Sequence, residues 1–489
     1  MNGYIGIDLG TSGVKLLLVR ADGKIVSEAS ENFEVMTPRP GWTEQDPELW
    51  WNATLRGLKS LLRGQDRASV KGISFGGQMH GLVALDRNFR VIRPCILWND
   101  GRTESQTKAL NEGIGRAKLS EYTGNIAFAG FTAPKLLWLR ENEPENFDRI
   151  AKILLPKDYL AFRLSGECGT DLSDASGTLL LDVKSRTWSR EMCEICGLRG
   201  EQLPELRESY EVAGTLNKGI AEELGLSPSV KIIAGAGDNA AAAVGTGSVG
   251  AGTCNVSLGT SGTIFLPGQT FTVDGRNALH SFCHADGKWH LMGCILSAAS
   301  ARKWWLENIL DSEDYAADDS AAASAETGNL YFLPYLSGER SPHNDVNARG
   351  AFLGLSAVTT RGEMSRAVME GVAFALRDCL DVARSMGIAP RETTLCGGGA
   401  RSGTWRRIIA DVFGIPVRML ETEQGPAYGG AMLAMVGCGE YETVEQAAGK
   451  LVRIREIVEP ASEAVKAYEE KYKTYTKFYP LLSDVFSHS

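Results

Sequence analysis

The stretch Ile7-Asp8-Leu9-Gly10-Thr11-Ser12-Gly13 returns half a chain later as Val256-Ser257-Leu258-Gly259-Thr260-Ser261-Gly262. In each copy an apolar strand runs into a Gly/Ser/Thr turn, and a second apolar strand follows it. The same strand–turn–strand unit at the head of two halves indicates an internal duplication. Because strands and helices alternate after each opening, we predict two α/β domains with mixed sheets and a cleft between them.

The length of 489 residues is too great for one ordinary hydrophobic core, which also favours at least two domains. A glycine-rich connection near residues 245–253 marks the predicted boundary. We expect a first domain at residues 1–245, a second at 246–440, and a helical extension at 441–489 packed on the second domain.

Composition narrows the class of protein. The net charge of −9 gives no sign of a nucleic-acid or anionic-membrane partner, and no apolar run is long enough to span a bilayer. The first residues lack the basic and apolar regions of a signal peptide. Ten scattered cysteines suggest reduced thiols and a cytoplasmic location. The oligomeric state stays open, with a homodimer as one option.

Two motifs contain residue types that can bind metal ions, but both are better explained by a structural role. Cys193 and Cys196 form a single C-x-x-C without a second pair or nearby histidines, so two cysteines on one helix face explain it better than zinc does. His280 and His284 lie in a β-rich stretch without an acidic partner pattern.

The repeated turns have the chemistry of phosphate sites. A tight Gly/Ser/Thr turn presents consecutive backbone N–H groups to an anion, and its hydroxyls add donors. Gly397-Gly398-Gly399-Ala400-Arg401-Ser402 adds a glycine loop before a helix, which suits the phosphates or adenosine of a nucleotide. No G-x-x-x-x-G-K-[ST] motif occurs, so the chain is not a P-loop protein.

Two aspartates have candidate catalytic roles. Asp8 precedes the first turn, where a carboxylate repels phosphate unless Mg²⁺ lies between them; capping of the turn is the alternative. Asp238 follows Gly235-Ala236-Gly237 at a helix start, as a general base for a substrate hydroxyl or as a helix N-cap.

Two longer segments resemble the FGGY carbohydrate kinases, which use the actin-like, ribonuclease H-like two-domain ATPase fold. The first is Gly130-Phe131-Thr132-Ala133-Pro134-Lys135-Leu136-Leu137-Trp138-Leu139-Arg140-Glu141-Asn142. The second runs from Gly350-Ala351-Phe352-Leu353-Gly354-Leu355 to Ala367-Val368-Met369-Glu370. The resemblance covers the chain to about residue 440.

Shorter stretches are similar to those of family members that phosphorylate D-xylulose. They are Gly76-Gly77-Gln78-Met79-His80-Gly81, Ile96-Leu97-Trp98-Asn99-Asp100-Gly101-Arg102, Leu155-Pro156-Lys157-Asp158-Tyr159, Gly237-Asp238-Asn239-Ala240-Ala241 and Leu333-Pro334-Tyr335-Leu336-Ser337-Gly338-Glu339-Arg340. The resemblance implies transfer of phosphate from ATP to the terminal 5-hydroxyl of D-xylulose.

The resemblance also implies roles for single residues. Asp238 is the expected base, Asp8 the Mg²⁺ residue, and Met79, His80 and Asn239 contact the sugar. Chemistry adds Gln78, Asp100 and Trp98 as sugar partners, although Trp98 could equally be core. The expected ATP contacts are Gly10, Thr11, Ser12, Lys15, Gly259, Thr260, Ser261, Gly398, Gly399, Ala400 and Ser402.

Other functions stay open at this stage. Another kinase of the family, acting on a different ketose, a polyol or a sugar acid, is the first alternative. A non-catalytic sugar sensor or a chaperone-like ATPase on the same fold is the second, but a sensor would be expected to lack the base or to carry a DNA-binding domain.

Overall fold

The computed structural model describes residues 1–422 and 424–487, and a mixed sheet organises the first half. Its strands are β1 (Gly3–Leu9), β2 (Gly13–Arg20), β3 (Ile25–Asn32), β4 (Val70–Gly77), β5 (Val212–Thr215) and β6 (Lys231–Ile233). Their spatial order is β5-β6-β4-β1-β2-β3. Strand β1 is antiparallel to β2 and parallel to β4, and the two-residue strand Ala236–Gly237 pairs with the end of β4.

A second mixed sheet repeats this plan. Its strands are β7 (Thr253–Leu258), β8 (Gly262–Gly268), β9 (His280–Cys283), β10 (Trp289–Ile295), β11 (Glu392–Cys396), β12 (Val417–Leu420) and β13 (Ile454–Val458). Their order is β9-β10-β8-β7-β11-β12-β13. Strand β7 is antiparallel to β8 and parallel to β11, as β1 is to β2 and β4. The duplicated α/β fold predicted from the two turns is confirmed.

Helices cover both sheets. The helices that bear on the description below are α1 (Pro47–Leu61), α2 (Thr132–Asn142), α3 (Pro156–Ser165), α4 (Asp238–Gly245), α5 (Arg361–Ser385), α6 (Gly403–Phe413), α7 (Gly425–Gly437), α8 (Val444–Leu451), α9 (Ser462–Tyr475) and α10 (Phe478–Phe486). Helix α1 begins as its sequence predicts, because Asp46 accepts a hydrogen bond from the Glu48 N–H and Pro47 opens the first turn.

Shorter elements fill the connections. The strands are Glu44–Gln45, Val83–Leu85, Cys95–Ile96, Lys152–Leu154, Gly169–Asp171, Leu181–Asp182, Thr187–Trp188, Glu205–Arg207, Tyr331–Leu333 and Ala351–Leu353. The helices are Glu104–Lys108, Arg116–Thr123, Pro144–Asp148, Leu172–Ala175, Arg190–Cys196, Lys218–Leu224, Ala299–Lys303 and Tyr315–Ser324. In residues 1–422 and 424–487, no helix combines the length and apolar character that crossing a membrane requires.

The two halves join through closely packed small residues. Helix α7, from the second half, packs on β1 and β4 of the first sheet and crosses α4. A Cβ built on Gly429 would lie 1.8 Å from the Ala241 carbonyl oxygen, and one on Gly6 would lie 1.8 Å from the Ala427 carbonyl oxygen. Only glycine permits such contact between backbones, so these positions fix how the helix meets the first sheet.

The end of the chain contains a strand that the predicted helical extension at 441–489 did not include. Strand β13 pairs antiparallel with β12 and forms the edge of the second sheet. Helix α9 places Tyr468, Tyr472 and Tyr475 around Phe374 of α5, with ring centroids 5.0–6.0 Å apart. The extension therefore adds one strand and one helical layer to the second sheet.

Candidate active site

The first Gly/Ser/Thr turn is held rigidly between β1 and β2. The Gly10 N–H donates to the Gly13 carbonyl at 2.9 Å. The Thr11 hydroxyl accepts from Trp98 Nε1 at 3.0 Å and donates to Gln78 Oε1 at 3.2 Å. Ser12 at the tip is exposed. The turn is thus braced from one side and open on the other, as an anion site requires.

Gln78 and Trp98, both expected to contact sugar, brace this turn. Gln78 is 2% exposed, and its Nε2 reaches the Gly10 carbonyl at 3.4 Å and Gln45 Oε1 at 3.3 Å. The Gln78 side-chain amide therefore already forms hydrogen bonds with the turn. Trp98 is 43% exposed, so it is not a core residue, and its ring remains available as an apolar wall.

The second turn meets the glycine loop. Because β7 and β11 are parallel neighbours, with Ser257 opposite Cys396, the segments after both strands emerge at one edge. A Cβ on Gly397, whose φ is +90°, would lie 2.8 Å from the Leu258 carbonyl. Gly259, Thr260 and Ser261 of the turn therefore adjoin Gly398 and Gly399 of the loop, and the Thr260 side chain and Gly398 are exposed.

Three of the predicted ATP contacts are hydrogen-bonded to other residues or buried within the fold. Ser402 caps α6 by accepting from the Trp405 N–H at 2.9 Å, and its hydroxyl donates to Asp319. Ala400 is buried. Lys15 Nζ donates to Gln424 Oε1. An ATP contact for these residues stays a prediction.

The two candidate acids lie at neighbouring strand ends. Asp8 is opposite Gly76 in the β1–β4 pair, and Asp238 directly follows the strand that pairs with Gly76 and Gly77. Burial and the charge of Asp238 raise the pKa of Asp8 to about 7, against the lowering effect of Lys15. The effect of Asp238 on Asp8 is consistent with the strand pairing, which brings together two carboxylates 230 positions apart in the chain.

Asp238 has the properties of a general base. Burial raises its pKa to about 6, although a hydrogen bond from the Asn239 N–H opposes the shift. Its Oδ1 accepts from Asn239 N at 2.7 Å and from Asn239 Nδ2 at 2.9 Å. Gly237, not Asp238, occupies the N-cap position of α4, so the N-cap interpretation does not describe this residue.

His80 presents a defined proton acceptor. Its Nδ1 lies 2.7 Å from the Gly177 carbonyl oxygen, which only accepts, so Nδ1 carries the proton and Nε2 has the lone pair. Burial, followed by the charge of Lys135, lowers the pKa of His80 well below its usual value, so the ring is neutral. Met79 is buried next to the residue before Asp238, because a Cβ on Gly237 would lie 2.9 Å from the Met79 Sδ.

Lys135 is a functional candidate that the residue-level analysis missed. Its fully buried ammonium donates to the His80 carbonyl at 2.8 Å and to the Gly130 carbonyl at 2.6 Å, and burial lowers its pKa to about 7. His80 has a φ of +70°, which is uncommon for a residue with a side chain. The sequence signal that could have identified Lys135 is its place as a lysine within the apolar helix segment Thr132–Asn142.

The second half also contributes to the surroundings of His80. His280 on β9 lies with its ring centroid 5.0 Å from Phe128 and 5.7 Å from Phe131, and Phe131 stacks on His80 at 4.7 Å. The Arg340 guanidinium lies 5.5 Å from the Phe128 centroid. The sequence pattern predicts a structural role for His280 and no role for Arg340, because Phe128, the aromatic partner of both residues, comes from the other half.

Asp100 departs from its predicted role as a sugar ligand. Its carboxylate accepts from Arg102 Nε at 2.8 Å, from Arg102 Nη2 at 2.7 Å and from the Thr43 N–H at 2.6 Å. The side chain has no exposed surface. An arginine two residues away thus engages this carboxylate and keeps it from the cleft, and the geometry does not favour sugar contact.

Comparison with known proteins shows that both halves of the chain match models of one family. Models of the N-terminal and C-terminal domains of the FGGY family of carbohydrate kinases match residues 3–245 and 254–438. The chain is 43% identical to a xylulose kinase of Escherichia coli (strain K12) over 98% of this chain and 99% of that protein.

Solved structures agree with this assignment. A structure described as a xyloylose kinase from Brucella ovis has a TM-score of 0.94 and 41% identity, covering 99% of this chain and 100% of that one. A gluconate kinase from Lactobacillus acidophilus has a TM-score of 0.95 and 27% identity, covering 100% and 99%. The fold, the duplicated turns and the two domain matches agree, and the chain belongs to the FGGY family of carbohydrate kinases.

Proposed function

We propose that this protein transfers the γ-phosphoryl group of ATP to the 5-hydroxyl of D-xylulose. The observation that carries the mechanism is Asp238, a half-buried carboxylate with a pKa of about 6, beside the Met79–His80 segment. Identity of 43% over nearly the whole length to a xylulose kinase supports this choice of substrate.

Asp238 would act on the attacking hydroxyl. Its carboxylate accepts the hydroxyl proton while the sugar oxygen bonds to the γ-phosphorus and the bond from phosphorus to the ADP oxygen breaks. A base with a pKa near 6 is ionised at neutral pH and is a better proton acceptor than an exposed aspartate. Asn239 holds one carboxylate oxygen and so directs the other toward the substrate.

The sugar would lie between Asp238 and His80. The Nε2 lone pair of His80 accepts a hydrogen bond from a sugar hydroxyl, and the Gly177 carbonyl keeps the ring in that tautomer. Trp98 offers an apolar wall at the cleft, and Met79 packs behind the base. These groups would orient the sugar, and correct orientation of the substrates is the main requirement for phosphoryl transfer.

ATP would bind between the repeated turns. Thr11 and Ser12 would offer backbone N–H groups, and Ser12 its exposed hydroxyl, from the first domain beside Gly10. Gly259, Thr260 and Gly398 would offer donors and open space from the second domain. Closure of the domains around both substrates would exclude water and suppress hydrolysis of ATP.

The donor set near the first turn fits Mg²⁺. Within the described residues no group of three or more His, Cys, Asp or Glu side chains could hold a metal ion. Mg²⁺ needs only one or two carboxylates together with water and phosphate oxygens, and the raised pKa of Asp8 shows a buried carboxylate without enough neutralising charge. Asp8 would hold the ion, which neutralises charge on the phosphates when bound.

Several organisational features remain part of the proposal. The proposed domain boundaries lie at 245 and 440, and the family matches over residues 3–245 and 254–438 support them. None of the ten cysteines, all of them within the described residues, forms a disulfide, which supports a cytoplasmic location. A homodimer is proposed without a defined interface.

A sugar acid is the second candidate substrate, because a gluconate kinase has a very similar fold at 27% identity. The deciding experiment measures ADP release with Mg·ATP and D-xylulose, other ketoses, polyols and gluconate. We expect D-xylulose to give the highest kcat/KM; a higher value for gluconate would overturn the substrate assignment, and no sugar-stimulated turnover would favour a sensor.

The role of Asp238 is tested in the same assay. Asp238→Asn should lower kcat at least about 100-fold, the usual loss for a general base. Asp411→Asn is the matched control, because burial also raises the pKa of Asp411 but it only accepts from the Ala461 N–H. Loss of only a few-fold in Asp238→Asn would contradict the mechanism.

A further inference from the structure

A buried ionic cluster lies behind the segment that carries Asp238. Lys157 on α3 has no exposed surface. Its Nζ lies 2.5 Å from Asp158 Oδ1, 2.9 Å from Asp171 Oδ1 and 3.7 Å from Asp174 Oδ2. Three carboxylates around one ammonium form a costly arrangement in a protein interior, which calls for a role beyond filling space.

The cluster continues through one serine. Asp171 Oδ2 accepts from Ser173 Oγ at 2.5 Å and from Ser209 Oγ at 2.7 Å. Ser173 Oγ in turn accepts from the Gly237 N–H at 3.1 Å. The Ser173 hydroxyl donates its hydrogen to Asp171 Oδ2, so the lone pairs of the Ser173 oxygen remain to accept from the Gly237 N–H.

This chain of contacts ends at the peptide next to the base. Gly237 directly precedes Asp238 and is opposite Gly77 of β4. A Cβ on Gly77 would lie 2.7 Å from Lys157 Cβ, so the lysine packs against that strand as well. The same ammonium reaches the Ala234 carbonyl at 3.4 Å, at the other end of the segment. The cluster thus contacts both ends of residues 234–237.

We propose that Ser173, oriented by Asp171 and Lys157, is a positioning residue that fixes the Gly237 peptide and thereby the direction of the Asp238 carboxylate. The inference rests on the proposed role of Asp238 as the base. Without the hydroxyl of Ser173, the Gly237 N–H loses its partner and the base is free to shift. A shift of about 1 Å in a reacting group is enough to cost up to 100-fold in rate.

Two serines make the test selective. Ser173→Ala and Ser209→Ala each remove one hydrogen bond to the same Asp171 oxygen, but only Ser173 contacts Gly237. We expect kcat to fall at least about tenfold in Ser173→Ala and to stay within about twofold in Ser209→Ala, because only the first releases the base. The KM for ATP should stay within about twofold in both variants.

Stability is measured by thermal unfolding on the same preparations. Ser173→Cys keeps the shape of the side chain but weakens both hydrogen bonds, so it should fold and give a kcat between those of wild type and Ser173→Ala. Wild-type kcat in both Ser173 variants, or equal losses of kcat in Ser173→Ala and Ser209→Ala, would overturn the proposal. Asp238→Asn is assayed alongside; wild-type activity in that variant would overturn the proposed base and this inference together.

Discussion

The pKa of Asp238 predicts the pH dependence of sugar phosphorylation. The carboxylate must be ionised to accept a proton, so kcat/KM for the sugar should follow its ionised fraction. With a pKa of about 6, burial being the cause, about a tenth of the enzyme is active at pH 5 and nearly all of it above pH 7. An aspartate with an ordinary pKa near 3.8 would be more than about 90% ionised at pH 5.

The assay measures kcat/KM for D-xylulose between pH 4.5 and 8.5 at saturating Mg·ATP. These conditions matter because Asp8 also titrates near pH 7, and a bound cation next to Asp8 lowers the pKa of that carboxyl. Enzyme held at pH 5 and returned to pH 7.5 serves as the control for irreversible acid damage. We expect a loss of about tenfold between pH 7.5 and pH 5.

Two outcomes would contradict the assignment of the acid limb to Asp238. A profile that stays flat down to pH 5 would mean that Asp238 is not desolvated or is not the base. A low residual rate in Asp238→Asn that retains the same acid limb would assign the titration to another group. Either outcome would remove the link between burial of this carboxylate and catalysis.

Three further predictions concern stability and positioning. Because the pKa of Asp238 is raised in the folded state, the wild-type protein loses stability as the pH rises from about 4 to 6. Asp238→Asn should therefore be about 1–3 kcal/mol more stable than wild type at pH 8 and no more stable below pH 4. Denaturant unfolding measures both differences. Lys135→Met removes the donor to the His80 carbonyl, so the KM for sugar should rise about tenfold while the KM for ATP is unchanged; an unchanged sugar KM in steady-state kinetics would contradict this role. Gly429→Ala places a methyl group 1.8 Å from a carbonyl on α4 and should lower the free energy of unfolding by about 2 kcal/mol or more, whereas Gly449→Ala on α8, with open space around it, should be neutral or stabilising; equal effects in thermal unfolding would count against the close helix crossing.

Much of the fold was predictable because its signals are local. The turns after Leu9 and Leu258 require glycines and small hydroxyl residues wherever they occur, so their repetition alone indicated two related domains. The start of α1 was equally predictable, since Asp46 and Pro47 act within one turn. The strand Ile454–Val458 was missed, because a short edge strand depends on a partner that lies far away in sequence.

The strand–turn–strand units, and the residue types that suit phosphate binding, sugar binding and proton transfer, follow from the amino-acid sequence alone. Which of these residues come together depends on how the chain folds. Asp8, on β1, and Asp238, directly after the strand Ala236–Gly237, come together because both strands pair with the end of β4. Asp100 is buried and its carboxylate is paired with Arg102. Burial and pairing depend on the surrounding elements, and these set the pKa values and hydrogen-bond partners on which the chemistry depends.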